Sequence, residues 1–159
     1  MEFLTWLEHS EFSTWMRESD WGHPIVLCFH AVGMGLVVGI SFMFSARVLG
    51  YAKSVSLAAF DRLFGLAWFG FAMNAASGIV LLMAEPRRMP ATPAFVIKMV
   101  LIAFAGLSLW ALSRTLEGKE RELSVPTGAK TAAIASIVFW CGAIVAGRLI
   151  GYTIGPPPV

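Results

Sequence analysis

Four polar side chains interrupt otherwise apolar runs of this sequence, and all four are of types able to bind or move charge: His30, Asn74, Lys98 and Arg148. A charged residue at the centre of a membrane-spanning helix costs about 2.5–3.5 kcal/mol, so groups of this kind ask for a partner or a guest. At about 1.5 Å of rise per residue, His30 lies roughly 9 Å inside the end of its run, Lys98 about 7–8 Å and Arg148 about 10 Å. Three cationic or potentially cationic groups from three segments thus share one level, and Asn74 projects toward the same half from roughly 16 Å. Glu85, Arg88 and Tyr152 stand above them, nearer the surface. A pocket this cationic implies an anionic guest, because Glu85 alone is too little to neutralise it.

Two guests suit the set. Haem b would take His30 as axial ligand, with Arg148 and Lys98 on its propionates and Met99 at the depth of a sixth ligand. A quinone head group or an anionic lipid would use Arg148, Lys98, Asn74 and His30 as hydrogen-bond donors, with Tyr152 at the mouth. Blander readings stand beside these. Lys98 and Arg148 are long enough to snorkel to the near interface, Arg148 can reach Glu85 as a structural tie, and His30 can be a neutral core histidine bonded to a backbone carbonyl. Met in a membrane span is usually filler. His23 stands seven residues before His30, about 10 Å away, too far to share a metal. Met34, one turn from His30, offers a copper site without a third ligand. No Ser-His-Asp order, HExxH, Walker loop or GxGxxG is present. Cys28 and Cys141 lack zinc spacing, and their depths differ by more than the ~7 Å a disulfide tolerates, which makes both packing residues.

The elements that must position these groups follow from composition. The 159 residues are 57% hydrophobic and 14% charged, with a mean hydropathy of +0.72, too apolar for an ordinary soluble globule. The apolar residues fall into four blocks, about 24–50, 63–84, 93–113 and 131–154, each at or above the roughly 20 residues that cross a bilayer. The net charge of +2 and the lack of a basic run exclude nucleic acid as a partner. The first twenty residues hold Glu2, Glu8, Glu11, Glu18 and Asp20 against Arg17, the reverse of a signal peptide. Phe3 to Met16 is predicted to form an interfacial amphipathic helix, with Phe3, Leu4, Leu7, Phe12 and Trp15 on one side. The hydrophilic stretch Glu117 to Thr127 is read as a loop closed by Pro126-Thr127-Gly128, and Pro156-Pro157-Pro158 ends the fourth span. Small-residue rows (Ala31, Gly35 and Gly39; Gly70 and Gly78; Gly147, Gly151 and Gly155) predict close helix packing, above all between the first and fourth spans. Seven Lys and Arg flank the first and third connections against three on the other side, which puts both termini outside the cytoplasm.

Read together, His30-Ala31-Val32-Gly33, Arg47-Val48-Leu49-Gly50, Ser77-Gly78, Phe95-Val96-Ile97-Lys98-Met99 and Gly147-Arg148-Leu149-Ile150-Gly151-Tyr152 resemble the pattern of a family of small bacterial four-helix integral membrane proteins. The resemblance covers roughly residues 21 to 155 and carries no assigned activity. Phe44-Ser45-Ala46 departs from the pattern, which tends to place an Asp before the arginine. A more distant similarity is to copper-resistance D-type membrane domains, which are also helical bundles with intramembrane histidines. The expectation is therefore an all-α, integral membrane four-helix bundle, a single domain with an N-terminal interfacial helix, in the bacterial inner membrane with periplasmic termini. Its expected role is that of a haem b-binding or redox-associated accessory subunit more than that of an enzyme, in contact with lipid and with other membrane subunits or a second copy. The competing reading is a non-catalytic structural subunit whose polar pocket holds quinone or anionic lipid.

Overall fold

A computed structural model describes residues 2–51, 53–56, 59–116 and 126–153, the side chains at 61, 115 and 116 excepted. The described residues form six helices: α1 (Glu2–Glu8), α2 (Glu11–Glu18), α3 (Gly22–Leu49), α4 (Ala59–Ala84), α5 (Pro93–Leu116) and α6 (Thr127–Thr153). The last four are long and apolar enough to cross a membrane, where a helix satisfies its own backbone groups without water. The chain is an all-α, multi-pass membrane bundle.

Boundaries move where local chemistry overrides hydropathy. The N-terminal segment is two helices instead of one, because Ser10 takes an extended backbone and its side chain accepts from the Ser13 N–H, starting α2 afresh. α4 begins four residues before its apolar run. α6 begins at Thr127, with the Pro126 carbonyl accepting from Ala129 and Lys130, so Pro126 opens a helix where the sequence suggested a closing loop. Residues 117–125 and 154–159, including Gly155 and the three prolines, lie outside the described residues. α3 ends at Gly50, whose φ of 104° lets the Tyr51 N–H reach Ala46 O at 3.0 Å and the Gly50 N–H reach Arg47 O at 3.2 Å, a Schellman closure that needs glycine.

Among the described residues the main contacts pair α3 with α4 and α5 with α6, and α3 with α6 joins the two pairs. Phe44, Val48, Phe60, Leu112, Ala129 and Ala133 form one core cluster, in which Phe44 stands between the rings of Phe60 and Phe64. Val37, Val38, Ala105, Trp140 and Ala143 form a second, nearer the α1–α2 end. α3 and α4 approach each other closely at Gly33, where a Cβ would stand 2.7 Å from Gly70 O and from Asn74 N. This corrects the expected pairing of the first and fourth spans through small rows. Nothing lies within 4 Å of a Cβ built at Gly35, Gly39 or Gly151, and α3 meets α6 through larger side chains. Cys28 and Cys141 are free and exposed, on the outer surface and not in the packing.

α1 and α2 fold over the end of α4. The Ser13 hydroxyl donates to Met83 O at 2.6 Å, and Arg17 donates to Ala84 O and Glu8 O at 2.8 Å each. These groups satisfy carbonyls that a helix C-terminus leaves orphaned, and the arginine charge suits the negative end of the helix dipole. Arg87 adds an ion pair to Glu8 at 3.6 Å. Met16 is fully buried, while Phe3, Trp6, Phe12, Trp15 and Trp21 remain exposed, as rings at a headgroup layer do.

Candidate functional site

His30, Asn74, Ser77 and Lys98 converge on the α3–α4 seam, near the α1–α2 end. His30 of α3 sets its Nδ1 3.0 Å from the backbone oxygen of Asn74 on α4. A carbonyl only accepts, so Nδ1 carries the proton and donates. Asn74 returns the bond: its Nδ2 donates to the His30 backbone oxygen at 2.7 Å. Each residue thus ties its side chain to the other's main chain, a reciprocal clasp between helices that lipid alone would not hold together. Ser77, one turn on from Asn74, places its hydroxyl oxygen 3.2 Å from the same Nδ1 while donating to Met73 O at 2.7 Å.

With Nδ1 protonated, Nε2 presents its lone pair, and there the Lys98 ammonium stands at 3.4 Å, a long hydrogen bond. Lys98 belongs to α5 and reaches α3 across α6. Its Cδ and Cε would each lie 3.4 Å from a Cβ at Gly147, so the glycine opens the way for the lysine stem. Gly78 does the same for the imidazole, whose Cε1 would be 3.2 Å from a Cβ there. Two glycines that look like packing residues in the sequence are seats for polar side chains.

The site is poor in negative charge. Among the described residues no carboxylate pairs with Lys98, and the ammonium has no acceptor beyond His30 Nε2. Glu85 does not tie to Arg148; its partner is Arg88, at 3.8 Å. His30, Asn74 and Lys98 are half-buried and Ser77 is buried, so the pair His30–Lys98 opens on the flank of the bundle.

Of the residues singled out from the sequence, His30, Asn74 and Lys98 are brought together. Arg148, Tyr152 and Met99 are not. Met99 is exposed beside Lys98, on the adjacent face of α5. Arg148 is exposed on α6, its guanidinium carbon 5.8 Å from the centre of the Tyr152 ring. Met34 packs against the second core cluster. Among the described residues no three His, Cys, Asp or Glu side chains converge as a metal site would require. Ser77 and the two glycine seats are what the sequence reading missed as site residues. The signal was there for Ser77 and Gly78, three and four residues after Asn74 and therefore on its face of the helix.

The chain matches no family model, no curated protein and no solved structure. The site's geometry has to carry the functional reading.

Proposed function

We propose that this protein is a small redox-associated membrane subunit whose His30–Lys98 centre takes the carbonyl-bearing head of a quinone-class molecule from the bilayer. One observation carries the reading. An ammonium sits in an apolar bundle with a single acceptor among the described residues, His30 Nε2, leaving two N–H donors for an oxygen supplied from outside. Since the centre lies on the flank of the bundle, a lipid-soluble ligand suits it better than one arriving from water. Lys98 would donate to a ring oxygen, and His30, held by Asn74, would keep the ammonium in place.

Haem b is the second reading. Nδ1–H donation to a backbone carbonyl is the usual support of a metal-bound histidine, and it leaves His30 Nε2 as the ligating atom. Against it, Lys98 occupies the approach to Nε2 and would have to withdraw. In either case the proposal includes a location in the bacterial inner membrane with both termini outside the cytoplasm, other membrane subunits as partners, and membership of the small four-helix family that the motifs resemble.

The test is purification of the full chain in native-lipid discs, followed by solvent extraction and an absorption spectrum in oxidised and dithionite-reduced states. Co-purifying quinone without a Soret band, lost in Lys98→Met, supports the proposal. A Soret band lost in His30→Ala but not in Lys98→Met replaces it with haem. A colourless, quinone-free protein removes both and leaves a structural subunit.

A further inference from the structure

Arg148 lies apart from the His30–Lys98 centre, and its surroundings assign it another task. It sits five residues before Thr153, the last described residue of α6, hence about 7–8 Å along the axis from that end. Its side chain is on the outside of the bundle. Val145 (58% exposed), Leu149 (48%) and Tyr152 (73%) flank it, an apolar surface suited to acyl chains. Tyr152 is one turn nearer the helix end, and its ring lies under the guanidinium at 5.8 Å. A stack in that direction holds the charge pointing toward the membrane surface. Among the described residues no carboxylate pairs with Arg148. On the same side of the helix, nothing stands within 4 Å of a Cβ at Gly151, so the space beside the pair is open.

We propose that Arg148 and Tyr152 form a binding site for the phosphate of an anionic phospholipid on the outer surface of α6. A guanidinium matches a phosphate in shape and charge and can grip two of its oxygens. At this depth, snorkelling along the tyrosine ring brings it to phosphate level while Val145 and Leu149 lie against the chains. Anionic lipid is favoured over zwitterionic because a choline or ethanolamine head carries its own cation, which competes for the phosphate. The site is independent of quinone or haem binding.

The full-length protein is incorporated into nanodiscs of phosphatidylglycerol and phosphatidylcholine, and the lipids that stay bound after extraction into mild detergent are quantified by mass spectrometry. The wild type should enrich phosphatidylglycerol over the bulk ratio about fivefold, which corresponds to about 1 kcal/mol, the worth of one basic side chain at a charged membrane surface. The enrichment should fall as salt is raised. Arg148→Gln should abolish it and Arg148→Lys should retain part of it, with helicity and any co-purifying quinone unchanged. Enrichment in Arg148→Gln equal to wild type would overturn the proposal. So would a change of oligomeric state in that variant, which would assign the charge to an acidic surface of a second copy. If Arg148→Gln does not fold, the Arg148→Lys variant and the salt titration of the wild type decide, a salt-independent enrichment counting against the site.

Discussion

The packing of α3 on α4 makes a quantitative demand on Gly33. Gly33→Ala would place a methyl carbon 2.7 Å from Gly70 O, 2.7 Å from Asn74 N and 3.0 Å from Asn74 Cβ. An unstrained carbon contact starts at about 3.4 Å, so the shortfall is 3.4 − 2.7, about 0.7 Å. Two of the three obstacles are backbone atoms that no rotamer change can move; the helices themselves must part. Overpacking of this kind costs about 1–3 kcal/mol. The separation also stretches the two bonds of the clasp one turn away, His30 Nδ1 to Asn74 O at 3.0 Å and Asn74 Nδ2 to His30 O at 2.7 Å. Interhelical hydrogen bonds in membranes average about 0.6 kcal/mol each, so their loss adds about 1 kcal/mol. Against this stands the gain of about 0.8–1 kcal/mol from replacing glycine by alanine in a helix. The net expectation is destabilisation by about 1–3 kcal/mol. Gly35→Ala, two residues on, meets nothing within 4 Å and should be neutral or slightly stabilising. Unfolding in mixed micelles titrated with denaturing detergent, read by tryptophan fluorescence, gives both values. If Gly33→Ala is as stable as Gly35→Ala, the close α3–α4 contact and the reasoning built on it are wrong.

Other consequences are open to measurement. Gly147→Val should push the Lys98 stem off its seat and part the ammonium from His30 Nε2, changing the Nε2 nitrogen chemical shift while leaving the Nδ1 shift as in wild type; an unmoved Nε2 signal would dissolve the pair. Ser13→Ala and Arg17→Ala should each weaken the hold of α2 on the end of α4, by about 1 kcal/mol for a typical hydrogen bond and somewhat more for the charged one. The readout is faster limited proteolysis ahead of Trp21, and wild-type cleavage rates in both variants would show that these bonds do not anchor the hairpin. A cysteine introduced at Ser124 should react with an impermeant reagent only after the cytoplasmic side is opened; labelling in intact cells would invert the proposed topology.

Much of this architecture was legible in the sequence because depth along a helix is a matter of counting. Four apolar runs gave four helices, and the rise per residue put His30, Lys98 and Arg148 at one level. Angle around the helix axis is harder, since each residue turns about 100° and an apolar run on a lipid-facing helix has no polar side to mark which way it faces. α5 is the extreme case: only 11% of its most apolar window is buried inside the bundle, and its sequence gives no sign that Lys98 turns toward α3 with the buried Ala105 and Leu112. Errors of angle account for what was misread. Gly35 and Gly39 look like a contact row but meet nothing within 4 Å, whereas Gly33, which belongs to no such row, packs directly on the backbone of Gly70 and Asn74.

The split between Lys98 and Arg148 follows from the same geometry. Gly147 is turned toward α5, because the Lys98 stem lies over it. Arg148, the next residue, must therefore point about 100° away, and with Gly147 committed to Lys98 it cannot share the pocket. Equal depth brought the two cations together on paper; one residue of helical twist separates them, one to a histidine inside the bundle and one to the lipid face. The glycines at 33, 70, 78 and 147, unlike those at 35, 39 and 151, each leave room that another group fills. At 33 and 70 it is a neighbouring backbone, at 78 the His30 ring and at 147 the Lys98 stem. On that reading the bundle gives up side-chain volume at 78 and 147 to hold one imidazole and one ammonium in contact, an arrangement that packing alone does not require.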